Sequence, residues 1–307
     1  MSASWSKMTM VAGAAVLMSA LAVQAKEVPT LDVVGEIKAG AQAICGGDKN
    51  FVYAANGTEV TKYDSKGEKS KSWPLPSTIS GVEGVAVDET GVIFVGGKIE
   101  GGLGVIRLAD TETKAVEASW KLEGAQGLTG MKARKGNVYV ADSKGRCIRV
   151  LDTKTGKIKF IGADKNGRTN GMLATCCGIL DFDINKKGQL VIANLGQFRV
   201  TTCSATGTGP SAWGEGGTTR PEQFCGCCNP VSVAVMPDES IVTADKTIPR
   251  VKVYAPGGRK LLAMTSEDSM PKGCGALPVV TDAEGDIYML FSGTVKVFRL
   301  PDSAKKK

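Results

Sequence analysis

Gly136-Asn137-Val138-Tyr139-Val140-Ala141-Asp142 is a short apolar run that starts from a glycine and ends on a carboxylate. Similar runs recur at Phe51-Val52-Tyr53-Ala54, Val92-Ile93-Phe94-Val95, Leu190-Val191-Ile192-Ala193, Ser240-Ile241-Val242-Thr243 and Asp286-Ile287-Tyr288-Met289. Runs this short, rich in β-branched and aromatic residues and bounded by turn residues, read as strands. With Tyr53, Phe94, Tyr139, Ile192, Val242 and Tyr288 taken as equivalent, the successive spacings are 41, 45, 53, 50 and 46 residues. That is the period of a propeller blade.

The order of elements around each run also repeats. An apolar strand precedes it, as in Gly84-Val85-Ala86-Val87 or Val231-Ser232-Val233-Ala234-Val235, followed by a polar turn such as Asp88-Glu89-Thr90-Gly91, Asn185-Lys186-Lys187-Gly188 or Asp282-Ala283-Glu284-Gly285. After the run comes a strand that alternates apolar and polar residues, Arg250-Val251-Lys252-Val253-Tyr254 or Thr294-Val295-Lys296-Val297-Phe298. Alternation marks a strand with two unlike faces. A fourth strand, such as Lys157-Ile158-Lys159-Phe160, closes most units. Six units of four radially repeated strands make an all-β, six-bladed β-propeller. The last unit, Leu277–Leu300, has only three strands, whereas Thr30–Ile37 precedes the first unit and belongs to none. We therefore expect this N-terminal strand to complete the last blade and so remove the sheet edges an open ring would leave.

These units resemble NHL repeats, on the strength of Gly136–Asp142 and of Val242-Thr243-Ala244-Asp245, each followed by an alternating strand that carries arginine. The resemblance spans nearly the whole chain after residue 25. It implies the propeller fold, and it leaves activity open because such propellers include binding proteins and a few enzymes. The family's amidating lyases hold zinc through histidines, and this chain has none. Calcium-dependent lactonase relatives place Glu, Asn and Asp around the channel, roles the resemblance would give to Glu83, Asn229 and Asp181.

Residues 1–25 read as an export signal. Lys7 is their only charge, Met8–Val23 is apolar but too short for a stable span, and Val23-Gln24-Ala25 offers small residues for cleavage before Lys26. A periplasmic or secreted protein is expected, consisting of a propeller over 26–303 and a basic tail over 304–307. No later segment is apolar enough to cross a membrane. Aromatic residues make up only 6% of the chain while glycines number 39, which favours short strands and tight turns. The net charge of +7 lies partly in Lys305-Lys306-Lys307, and no basic stretch is interleaved with aromatics, so nucleic acid is not an expected partner. A monomer is expected, with a protein or small-molecule ligand at one end of the channel. The absence of histidine excludes Ser-His-Asp and Cys-His catalysis, His-bound zinc and haem.

Chemistry falls instead to nine cysteines. Cys177 lies 14 residues before its second-strand marker Val191, while Cys228 and Cys274 each lie 13 before Ile241 and Ile287. The three therefore share one position, the entry to the innermost strand, in adjacent blades. Cys176, Cys225 and Cys227 are their near neighbours, so six cysteines are expected at one channel mouth. The extra length of blades four and five falls just before them, in 162–175 and 213–224, and long loops in a compact domain tend to carry function. Cys147 opens a third strand at the same end and could approach the group, whereas Cys45 and Cys203 read as packed side chains.

Three readings of the cluster stand open. An exported protein usually oxidises its thiols to disulfides. Soft thiolates also suit copper(I), zinc or an iron–sulfur cluster. A redox-active disulfide would need Arg168, Arg199, Arg220, Arg250 or Lys246 nearby to lower a thiol pKa. The arginines, with Asn229, are also candidate ligand-binding residues. The function expected first is a binding or scaffold protein, then redox or electron transfer, then lactone hydrolysis.

Overall fold

The computed structural model describes residues 28–111, 114–226, 228–271 and 275–305. The proposed signal segment, Cys227 and Cys274 lie outside them.

Six four-stranded antiparallel sheets follow one another around the ring. Blade three shows the pattern: Leu128–Arg134 is innermost, then Asn137–Asp142, Cys147–Asp152 and Ile158–Ile161. The second strands are enclosed by neighbouring blades on both faces, and every residue of Leu190–Asn194 and of Ile241–Asp245 is buried. This explains why these runs are continuously apolar in sequence. Outermost strands such as Lys69–Pro74 face solvent and carry charge instead. The core is accordingly divided into layers between blades. One layer packs Val242, Val251 and Val253 of blade five against Val279, Met289 and Phe298 of blade six. Another packs Tyr254, Val233 and Ile241 of blade five against Val191, Val200 and Phe224.

The ring closes as the unit count requires. Asp32–Lys38 pairs antiparallel with Thr294–Arg299 and becomes the outermost strand of the last blade. The preceding residues also lace onto blade five, where Leu31 N donates to Met264 O at 2.9 Å and Met264 N donates to Pro29 O at 3.0 Å. At the other terminus Asp302–Lys305 forms a helical turn that buries Ala304, the first residue of the expected basic tail. Among the described residues no helix is long and apolar enough to cross a membrane.

Candidate functional site

First strands begin, second strands end and third strands start at the same end of the ring, so the loops that carry cysteine meet there. Two asparagines fix these loops. Asn194, which ends the second strand of blade four, accepts from Ala174 N at 2.8 Å and donates to Met172 O at 3.1 Å. Gly196 N donates to Ala174 O at 2.9 Å, and Thr175 Oγ1 donates to Ser143 O of blade three at 3.0 Å. In blade five the buried Asn229 carboxamide accepts from Lys246 N at 2.8 Å, donates to Lys246 O at 3.0 Å and also donates to Cys225 O. Both loops are thus tied to the turn between the second and third strands of their own blade.

This anchoring brings three sulfurs together. Cys176 and Cys228 form a disulfide between blades four and five, with Cα atoms 6.2 Å apart. Cys177 is a free, exposed thiol whose Sγ lies 3.3 Å from Cys176 Sγ. All three sulfurs fall within 4.8 Å of one another. Cys177 and Cys228 occupy equivalent positions, and both adopt left-handed backbone, with φ of 57° and 62°. Non-glycine residues rarely do so unless their surroundings hold them there.

Beneath the sulfurs a cavity of about 200 Å³ runs into the channel. Its wall starts immediately after each cysteine segment, at Ile179, Val231 and Ala276. Its polar groups form a ladder that links one blade to the next. Innermost strands of neighbouring blades run side by side without pairing, so their buried N–H groups need other acceptors. Glu83 Oε2 accepts from Leu128 N at 3.1 Å, and Thr129 Oγ1 accepts from Leu180 N at 3.2 Å. Asp181 Oδ2 accepts from Val233 N at 3.2 Å and from Ser232 Oγ, while Ser232 Oγ accepts from Val279 N at 2.9 Å. Gly130 makes room for the Asp181 carboxylate, since a Cβ there would stand 2.6 Å from Oδ1. Lower in the channel Asp183 accepts from Val235 N at 2.8 Å and faces Lys132 Nζ at 3.3 Å.

Burial and neighbouring charges compete in the channel, and each prevails at a different group. Burial pushes Asp181 up to about 6 against the pull of Lys132 and of its hydrogen bonds. Burial pulls Lys132 down, but the Asp183 and Asp181 carboxylates outweigh it and hold the ammonium above its usual value. Lys132 also borders a wider cavity of about 710 Å³ at the opposite end of the channel. The charges around that end join blades to one another: Glu89 Oε1 accepts from Lys135 N at 2.9 Å, Arg134 Nη2 donates to Lys186 O at 3.0 Å and Glu239 Oε1 accepts from Lys186 N at 3.0 Å.

Of the six cysteines expected at the mouth, Cys176, Cys177 and Cys228 come together. Cys225 is buried beside Phe224 and lies outside this group, and Cys227 and Cys274 are not among the described residues. Cys147 is buried and free, and burial with Asp142 nearby pushes its thiol up to about 11. Cys45 and Cys203 are packed as expected, and burial raises them to about 12 and about 11. Arg168 pairs with Asp164 at 2.9 Å within its own loop, and Arg220 pairs with Glu215 and Glu222. Arg199 and Arg250 open third strands opposite Asn194 and Asp245, and Lys246 is buried behind Asn229. Glu83 and Asp181 line the cavity but spend oxygens on backbone N–H groups, while Asn229 is turned into the loop anchor just described.

Reasoning from sequence missed Asn194, Thr129, Ser232, Lys132 and Asp183. It also missed a buried polar pair seven residues apart across the second turn of three successive blades. Asp142 and Arg149 pair at 2.9 Å, Asn194 Nδ2 donates to Thr201 Oγ1 at 3.2 Å, and Asp245 and Lys252 pair at 2.8 Å. Burial pushes the Asp245 carboxyl up and the Lys252 ammonium down, each opposed by its partner.

No family model and no curated protein sequence matches the chain. Among solved structures it is similar to the WD40 β-propeller domain of Doa1, at 14% identity and TM-score 0.56 over 90% of this chain and 99% of that one. It is also similar to virginiamycin B lyase from Staphylococcus aureus, at 11% identity and TM-score 0.54 over 89% and 90%. A streptogramin B lyase aligns at 12% identity and TM-score 0.52 over 82% and 76%. At such identities the likeness is one of fold alone.

Proposed function

We propose that this chain is an exported, NHL-like propeller that binds a small ligand in the channel compartment beneath the cysteine loops. One observation carries this reading: the Cys176–Cys228 disulfide joins two loops directly above the strand entries, Ile179 and Val231, that wall the compartment. The compartment mixes apolar Ile44, Val85 and Leu277 with polar Thr129, Asp181 and Lys132, the make-up of a binding pocket. Its volume of about 200 Å³ lies below the ~300 Å³ at which pockets for drug-sized ligands begin, so the ligand is small. The wider opposite mouth is a weaker candidate because the charged groups around it already bond between blades.

Ile179→Trp tests this reading, since the indole would plug the entrance. A fragment library screened by ligand-observed NMR should yield binders to the parent that this variant loses without a lower melting temperature. Binders that Ile179→Trp leaves unaffected, or none at all, would refute the assignment. Export is tested separately: N-terminal sequencing of protein recovered outside the cytoplasm of its host should begin at Lys26.

A redox role is the second reading, favoured by the 3.3 Å contact between the Cys177 thiol and the disulfide. Exchange needs only attack of that thiolate on a disulfide sulfur.

A further inference from the structure

We propose that the reduced form of the cysteine mouth is a three-coordinate thiolate site for a single copper(I) ion, with Cys176, Cys177 and Cys228 as ligands. The proposal rests on the reading of this mouth as the binding end of the propeller, and it names a ligand for the sulfurs themselves.

Geometry is the first support. Metal–thiolate bonds of about 2.3 Å arranged in a trigonal plane set their sulfurs about 4 Å apart. Cys177 Sγ lies 3.3 Å from Cys176 Sγ and all three sulfurs fall within 4.8 Å, so once the Cys176–Cys228 bond is reduced and those two sulfurs part, modest side-chain rotation places all three around one ion. The loops do not depend on the disulfide alone for their position. Asn194 holds 172–174, and Asn229 holds the backbone on both sides of Cys228 through Cys225 O and Lys246. Breaking the disulfide therefore leaves the three sulfurs as neighbours.

The donor set is the second support. No carboxylate joins the group among the described residues, and the chain has no imidazole. A sulfur-only set selects soft ions, copper(I) foremost, while structural zinc almost always takes four ligands. Entry is open, since Cys177 is exposed and Cys176 and Cys228 are only half-buried. The cavity wall beginning at Ile179 gives the ion an apolar floor.

A phosphine reductant and one water supply two electrons and two protons to the Cys176–Cys228 bond, giving two thiols and the phosphine oxide. Those thiols and that of Cys177 then lose three protons to solvent as the three thiolates bind one copper(I) ion.

The test uses the full chain, reduced with a phosphine under anaerobic conditions and titrated with copper(I) in competition with bicinchoninate. One copper per chain should be retained, with a thiolate-to-copper absorption band. Cys177→Ser should weaken retention by more than ~10-fold, a loss that changes around a metal's ligands alone can reach. This variant keeps Cys176 and Cys228, so its unreduced form should melt like the parent, which separates loss of a ligand from loss of fold. Failure to retain copper, equal retention by Cys177→Ser, or displacement of copper(I) by equimolar zinc would each overturn the assignment. None of these results bears on whether fragments bind below Ile179, so the two readings fail independently.

Discussion

The disulfide between blades four and five should contribute unequally to the stability of two variants that each remove one of its sulfurs. Its cysteines are 52 residues apart, and a loop of that length gives about 4 kcal/mol from chain entropy alone. In a domain of this size each kcal/mol moves the melting temperature by about 2–4 °C, so reduction or Cys228→Ser should lower it by roughly 8–16 °C. Cys176→Ser should cost much less. Cys177 lies within 4.8 Å of Cys228 Sγ and can take over the bridge, closing a loop only one residue shorter. Calorimetry of the unreduced single variants and of Cys176→Ser/Cys177→Ser tests this, and the double variant should melt like Cys228→Ser. Equal losses in Cys176→Ser and Cys228→Ser would show that Cys177 is not within bridging reach. No loss in any variant would show that the blades are not tied at this point.

Other consequences follow from the fold and channel. Deleting residues 28–38 should destabilise the whole domain in urea, because the last blade loses its outer strand; an unchanged midpoint would contradict ring closure. Lys252→Met should cost about 3–5 kcal/mol by leaving Asp245 buried without its partner, and Asp245→Leu/Lys252→Met should recover most of that. Recovery is the telling result, since a purely steric role for Lys252 would give none. Asp181 keeps its proton in the native state up to about pH 6, while the unfolded chain releases it near pH 4. The native state therefore binds more protons in that window, and stability falls as pH rises through it, by at most about 3 kcal/mol. Asp181→Asn keeps an acceptor for Val233 N and should remove this component, so a pH slope of stability identical to the parent's would refute it.

Much of the ring was legible in sequence because each blade must bury a second strand on both faces, which leaves an apolar run every 41 to 53 residues. The completing strand was legible for a related reason, since Leu277–Leu300 supplies three strands and a closed ring needs a fourth. The channel was harder to read. Glu83, Thr129, Asp181 and Ser232 are equivalent residues spaced 46, 52 and 51 apart, but they differ in type and share only an oxygen acceptor. Periodicity of hydrophobicity cannot reveal a ladder of acceptors. The buried pairs were half visible: Ala141-Asp142 and Ala244-Asp245 stood out, but the partner seven residues on appears only once the hairpin register is known. Counting along strands placed Cys176, Cys177 and Cys228 at one end. It could not show that Cys225, three residues before Cys228, turns inward beside Phe224. A count along the chain fixes height in a blade and leaves direction to packing.

The gathering of three sulfurs over the channel is tested most directly by alkylating the native, unreduced protein and mapping its peptides by tandem mass spectrometry. We predict that the peptide carrying Cys176 and Cys177 is joined to the one carrying Cys228. Cys177 should be alkylated without denaturant, and Cys45, Cys147, Cys203 and Cys225 should react only after unfolding. Alkylation of both Cys176 and Cys228 in the native, unreduced protein would contradict the bridge between blades four and five, and with it the roof over the proposed binding compartment.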